Sequence, residues 1–85
     1  MEYRIDYKKS VAKDLKRIGK ANAKRVMGKI DNDLIHDPDR CPALSGPFAG
    51  MRKYRIGNYR VIFAIIDDCV LILRIQNRKD VYRKR

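Results

Sequence analysis

The sequence has no long apolar run. Neither a membrane-spanning helix nor the hydrophobic segment of a secretory leader is therefore expected, and the expectation is a cytoplasmic chain with no membrane partner. Cysteine is sparse. Cys41 and Cys69 are neither closely spaced nor joined by histidines, so no metal site and no disulfide are expected, and no cofactor pattern is present. The lone histidine, His36, stands before Asp37-Pro38 at the end of a helical pattern. There it suits the helix C-terminus better than a catalytic base. Proline is confined to one segment: Pro38, Pro42 and Pro47, with Gly46 and Gly50, mark residues 37–50 as loop. Repeats and low-complexity tracts are absent.

Acid is scarce relative to base. Ten Asp/Glu against 21 Lys/Arg leave a net charge of +11 on 85 residues. Such an excess points to an acidic partner: a nucleic acid, an anionic membrane surface or an acidic protein. Residues 51–85 hold ten Lys/Arg against Asp67, Asp68 and Asp80, a net +7, and the first fifty residues carry the remaining +4. The length predicts one domain, residues 1–85, with a thin core.

Periodicity predicts the elements. Met1 to Tyr7 alternates, with Tyr3, Ile5 and Tyr7 on one side, as a half-buried strand does. Val11, Leu15 and Ile18 recur at helical spacing, and Gly19 is a natural stop. A second helix is predicted over 21–35, with Ala23, Met27, Ile30 and Leu34 as its stripe and Val26 beside them. The loop follows, with Leu44 and Phe48 expected to pin it to the body. Three strands close the pattern: 51–56, 59–66 and 69–75, joined at Gly57-Asn58 and Asp67-Asp68. The predicted class is α+β: an N-terminal strand, a helical hairpin, then an antiparallel three-strand meander with the helices packed on one face.

The Gly57-Asn58 turn fixes a register. A two-residue hairpin there sets Ile56 against Tyr59, Arg55 against Arg60, Tyr54 against Val61 and Lys53 against Ile62. One face then carries Tyr54, Ile56, Tyr59, Val61, Phe63 and Ile65, and only the two helices can cover it. The other face carries Lys53, Arg55 and Arg60 near the turn, then Ile62, Ala64 and Ile66. Two arginines directly opposite each other destabilise a hairpin. With no acid in the flanking strands, an external anion such as a phosphate explains the arrangement best. Arg74 joins this face or the other according to the length of the Asp67-Asp68 turn.

Such a cluster suits a phosphodiester. Arginine forks bind phosphate bidentately and stabilise the extra charge of a pentacoordinate transition state. RNA brings its own nucleophile, the 2′-hydroxyl, so the protein need supply only a base, an acid and charge stabilisation. Arginine is a poor base. Lys53 is the better candidate, because neighbouring cations disfavour a lysine's charged form. Tyr82 could stack on a base or assist proton transfer.

Two stretches carry a family resemblance: L-S-G-P-F-A-G-M-R-K-Y-R-I-G-N-Y-R-V-I-F at 44–63 and I-Q-N-R-K-D-V-Y-R at 75–83. Their order and spacing resemble the RelE/ParE superfamily of toxins from bacterial and archaeal toxin–antitoxin pairs, along nearly the whole chain. The resemblance implies a RelE-like fold. It also implies a ribosome-dependent, metal-free endoribonuclease that cuts mRNA in the ribosomal A site by 2′-hydroxyl attack. Carried over by motif, the catalytic residues fall on Lys53, Arg55, Arg60, Arg78 and Tyr82. Arg52, Lys79, Arg83, Lys84 and Arg85 are the expected RNA-binding cations. The implied partners are a small RelB-like antitoxin, the ribosome with its rRNA, and mRNA. Many relatives place Gly-His where this chain has Gln76-Asn77. Two other readings follow from the same resemblance: a ParE-like toxin that inhibits DNA gyrase without nuclease activity, and an inactive binding or repressor subunit.

Overall fold

The structure, a computed structural model, describes residues 3–77. The site candidates Arg78, Lys79, Tyr82, Arg83, Lys84 and Arg85 lie outside the described residues. The fold is α+β. Strand β1 (Arg4–Tyr7) leads into helix α1 (Val11–Ile18) and helix α2 (Lys20–Lys29). Three strands follow, β2 (Arg52–Ile56), β3 (Tyr59–Ile66) and β4 (Cys69–Asn77). The sheet order is β1-β4-β3-β2. The last three strands form the expected antiparallel meander, and β1 adds to β4 in parallel, with Ile5 beside Val70 and Tyr7 beside Ile72.

Gly19 separates the helices with φ +92 and ψ 157, a conformation that ends α1 and that a side chain rarely tolerates. The second helix departs from expectation. It is α-helical only to Lys29 and continues as a π-helical turn over Ile30–Leu34. Its buried residues are Val26, Ile30 and Leu34, spaced by four. A four-residue step overshoots one α-helical turn by about 40°. The wider π turn compensates and returns Leu34 to the core side.

Val26, Ile30 and Leu34 meet Val11 of α1 and the inner sheet face, where Val61, Phe63, Val70 and Ile72 are fully buried. Tyr54, Tyr59 and Ile65 pack at its margin. The face assigned from the hairpin register is therefore the core face. Phe48 corrects an expectation: it is 54% exposed and does not pin the loop to the core. The loop is held by its backbone instead. Lys53 N–H donates to the Pro42 carbonyl (3.1 Å), Leu44 N–H donates to the Met51 carbonyl (2.9 Å), and Ala43 bridges Arg52. These bonds occupy the outer edge of β2, which would otherwise be open to pairing with another chain.

Candidate functional site

The hairpin register is the expected one: Ile56–Tyr59, Arg55–Arg60, Tyr54–Val61 and Lys53–Ile62. Gly57 has φ +55, at the first loop position where a two-residue turn of this kind needs glycine. The guanidinium of Arg25, from α2, lies against it; a Cβ added at Gly57 would stand 2.7 Å from Arg25 Nη2.

The parity of β4 is less direct. The Asp67-Asp68 loop has two residues, since Ile66 pairs with Cys69. Counting on from that turn would set Leu73 opposite Ile62 and turn Arg74 toward the helices. Instead the register shifts between Ile62 and Phe63: Phe63 pairs with Ile72 and Ile62 with Arg74, leaving Leu73 as an extra residue. This bulge reverses the faces of everything after it. Ile75 enters the core, and Arg74 and Gln76 join the open face.

A single buried acid holds the bulge. Asp14 of α1 is 3% exposed. Its Oδ2 accepts the Ile75 N–H (2.9 Å) and the Arg74 Nε–H (3.0 Å), and its Oδ1 accepts from Arg74 Nη2 (3.4 Å). β1 ends beside Ile72, so the carboxylate takes over the edge of β4 where that strand stops. The sequence carried a signal for this residue. Asp14 falls three residues after Val11, on the stripe of α1, and it is the sole acid among nine Lys/Arg between residues 8 and 29. The lysines and arginines of α1 and α2 give the helical layer a basic outer surface of its own.

The open face thus presents two cationic rungs, Arg55–Arg60–Gln76 and Lys53–Ile62–Arg74. Arg60 donates from Nη2 to Gln76 Oε1 (3.1 Å). Its Nε is closed off from solvent, with no hydrogen-bond acceptor among the described residues. A cavity of about 440 Å³ opens beside it. Lys8, Arg60, Arg74 and Gln76 form its polar side; Ile62 and Leu73 floor it, and Phe48 and Met51 wall it from the loop. Lys53 and Arg55 line a separate hollow of about 410 Å³ with Arg40 and Tyr54.

Of the sequence candidates among the described residues, Lys53, Arg55 and Arg60 therefore share one face. Arg52 does not. It pairs with Phe63 on the core side, and its Nη1 donates to the carbonyls of Asp39 (3.1 Å) and Cys41 (2.7 Å). Arg74, which the sequence left to either face, joins them, and Lys8 and Gln76 are additions from the structure.

Residues 5–82 match the family described as the ParE toxin of the type II toxin–antitoxin system. The chain belongs to the RelE/ParE superfamily of type II toxins. Toxin RelG of Mycobacterium tuberculosis is 30% identical to this toxin over 87 residues, covering 99% of this chain and all of that one. The toxin–antitoxin complex RelBE2 of M. tuberculosis contains a chain with TM-score 0.85 and 27% identity, over 92% of this toxin and 100% of that chain. The RelB–RelE complex of Methanococcus jannaschii matches with TM-score 0.69 and 22% identity, over 94% of this toxin and 98% of that chain, a likeness of fold. No helix among the described residues of this toxin is long and apolar enough to cross a membrane.

Proposed function

We propose that this toxin is a ribosome-dependent endoribonuclease that cleaves mRNA in the A site. The observation that carries the reading is Arg60: a guanidinium on an open sheet face, directly opposite a second arginine, with Nη2 held by Gln76 and a cavity opening beside it. A phosphate held by the accessible end of that guanidinium would offset the Arg55–Arg60 repulsion. In the proposed reaction the ribose 2′-oxygen attacks the adjacent phosphorus and the bond from phosphorus to the 5′-oxygen breaks. The products are a 2′,3′-cyclic phosphate and a 5′-hydroxyl. In its neutral form Lys53 is the candidate acceptor of the 2′-hydroxyl proton, and Tyr82 or solvent supplies the proton to the departing 5′-oxygen. Arg55 and Arg60 stabilise charge on the phosphorane, and Arg78 and Tyr82 complete the set by motif. The partner is a small antitoxin of complementary acidity. The similarity to toxin chains of RelB–RelE complexes supports that pairing.

Removing one such charge-stabilising donor lowers turnover by roughly 10²–10³-fold. Expression of Arg60→Ala should therefore leave growth unimpaired while the purified variant stays folded, melting no lower than wild type. A folded Arg60→Ala protein that still arrests growth would overturn the assignment. The family match, described as ParE, favours one other reading, inhibition of DNA gyrase by binding. Loss of supercoiling in vitro on adding the toxin, without RNA cleavage, would establish that reading instead.

A further inference from the structure

Arg74 has no part in the motif-derived site, yet three observations converge on it. The Leu73 bulge turns it to the open face opposite Ile62, one rung from Arg60. It lines the same cavity as Arg60 and Lys8. Its guanidinium is held from behind, Nε and Nη2 on the carboxylate of Asp14, with the Arg74 side chain 46% exposed and the Asp14 side chain 4%. A guanidinium has five N–H groups. Asp14 engages two of them, and the rest remain available on the exposed part of the side chain.

The buried carboxylate has a second bond, from the Ile75 N–H, that fixes it to the β4 backbone. Asp14 is therefore anchored independently of Arg74. A flexible arginine becomes a preorganised one when two of its donors are fixed in this way.

We propose that Arg74 is a further phosphate-binding residue of this site and that Asp14 is the positioning residue that aims it. The proposal rests on the nuclease reading only in taking RNA as the ligand. With Lys8 and Arg60 on the same cavity, Arg74 would hold a phosphate beside the one on the Arg55–Arg60 rung, so that the site grips two successive phosphates of one strand.

The test uses the full chain and a labelled 2′-O-methyl RNA hexanucleotide, which offers no free 2′-hydroxyl and cannot be cut. Binding is read by fluorescence anisotropy across a salt series, with circular dichroism to confirm folding. Arg74→Gln keeps an amide donor toward Asp14 and removes the charge. It should weaken binding by about tenfold, as loss of a charge-assisted hydrogen bond does, and lower the salt slope by about 0.7.

Asp14→Asn separates aim from bulk charge. It makes the protein more positive, so bulk electrostatics alone would tighten RNA binding; the proposal expects folded Asp14→Asn to bind more weakly. In the Arg74→Gln background the Asn substitution should no longer weaken binding and at most tightens it through its bulk charge. Wild-type affinity in Arg74→Gln, or tighter binding by folded Asp14→Asn, would overturn the proposal. So would a wild-type chain that does not bind the probe at low salt. If Asp14→Asn does not fold, Arg74→Gln alone decides. A wild type that binds this RNA in the expected way yet leaves ribosome-bound mRNA intact would sink the nuclease reading and leave this one standing.

Discussion

Replacing Arg55 with threonine should make the protein more stable and less active. Arg55 and Arg60 are directly opposed, one rung from the turn. The Ile56–Tyr59 rung that closes a two-residue hairpin is hydrogen-bonded, so the Arg55–Arg60 rung is of the non-hydrogen-bonded kind, with Cα atoms about 4.5 Å apart and side chains closer. Arg60 is not free to swing away, because Nη2 is held by Gln76. Two unit charges about 8 Å apart at a partly solvated surface repel by roughly 0.5–1 kcal/mol, consistent with the ~0.2–1 kcal/mol range for cross-strand pairs. For a domain of this size that is a rise in Tm of about 2–8 °C. Thermal melts at roughly 0.05 M and about 1 M salt isolate the cause, since the screening length falls to about 3 Å at the higher value. The gain should shrink almost to nothing there. A gain equal at both salts would reflect strand preference rather than charge. No gain at low salt would refute the reasoning that the hairpin stores repulsion for an anion.

Two further outcomes concern the scaffold. Gly57→Ala forces a side chain into φ +55 and against Arg25. The left-handed backbone costs about 1–2 kcal/mol, so Tm should fall by roughly 4–16 °C, whereas the displaced guanidinium end can move aside; a melt within a degree of wild type contradicts the turn assignment. Tyr7→Phe removes a buried hydroxyl that makes no well-formed hydrogen bond. Burial first, then the nearby Asp31 carboxylate, raises the Tyr7 pKa from 10.0 to about 12. A raised folded-state pKa gives stability that is complete below the unfolded value and lost as pH climbs through the folded one. The variant should therefore match or exceed wild type near neutrality and lose less stability between those two pH values. Urea titrations at several alkaline pH values check this, and equal losses in both proteins would count against it.

The hairpin was legible because a two-residue loop fixes parity, and parity alone assigns Lys53, Arg55 and Arg60 to one face. The same arithmetic misleads on β4. One extra residue, Leu73, reverses every face beyond it, and nothing in C-V-L-I-L-R-I distinguishes a bulged strand from a straight one. Asp14 was half legible: its place on the stripe of α1 marks it for burial, but what it binds shows only once β1 is seen to end at Tyr7 and expose the β4 edge. The parallel docking of β1 depends on how far the helical hairpin carries the chain, which local spacing does not encode. Phe48 illustrates the weakest inference, that an apolar loop residue must be buried. Here the loop is tied by backbone bonds to β2, and its phenyl ring stands at a cavity rim.

Primer extension on mRNA-programmed ribosomes, with the wild-type toxin beside Arg60→Ala, tests the central claim most directly. Cuts within the A-site codon that disappear with the variant are the expected result. Intact mRNA with folded wild-type toxin, or the same cuts with Arg60→Ala, would contradict it.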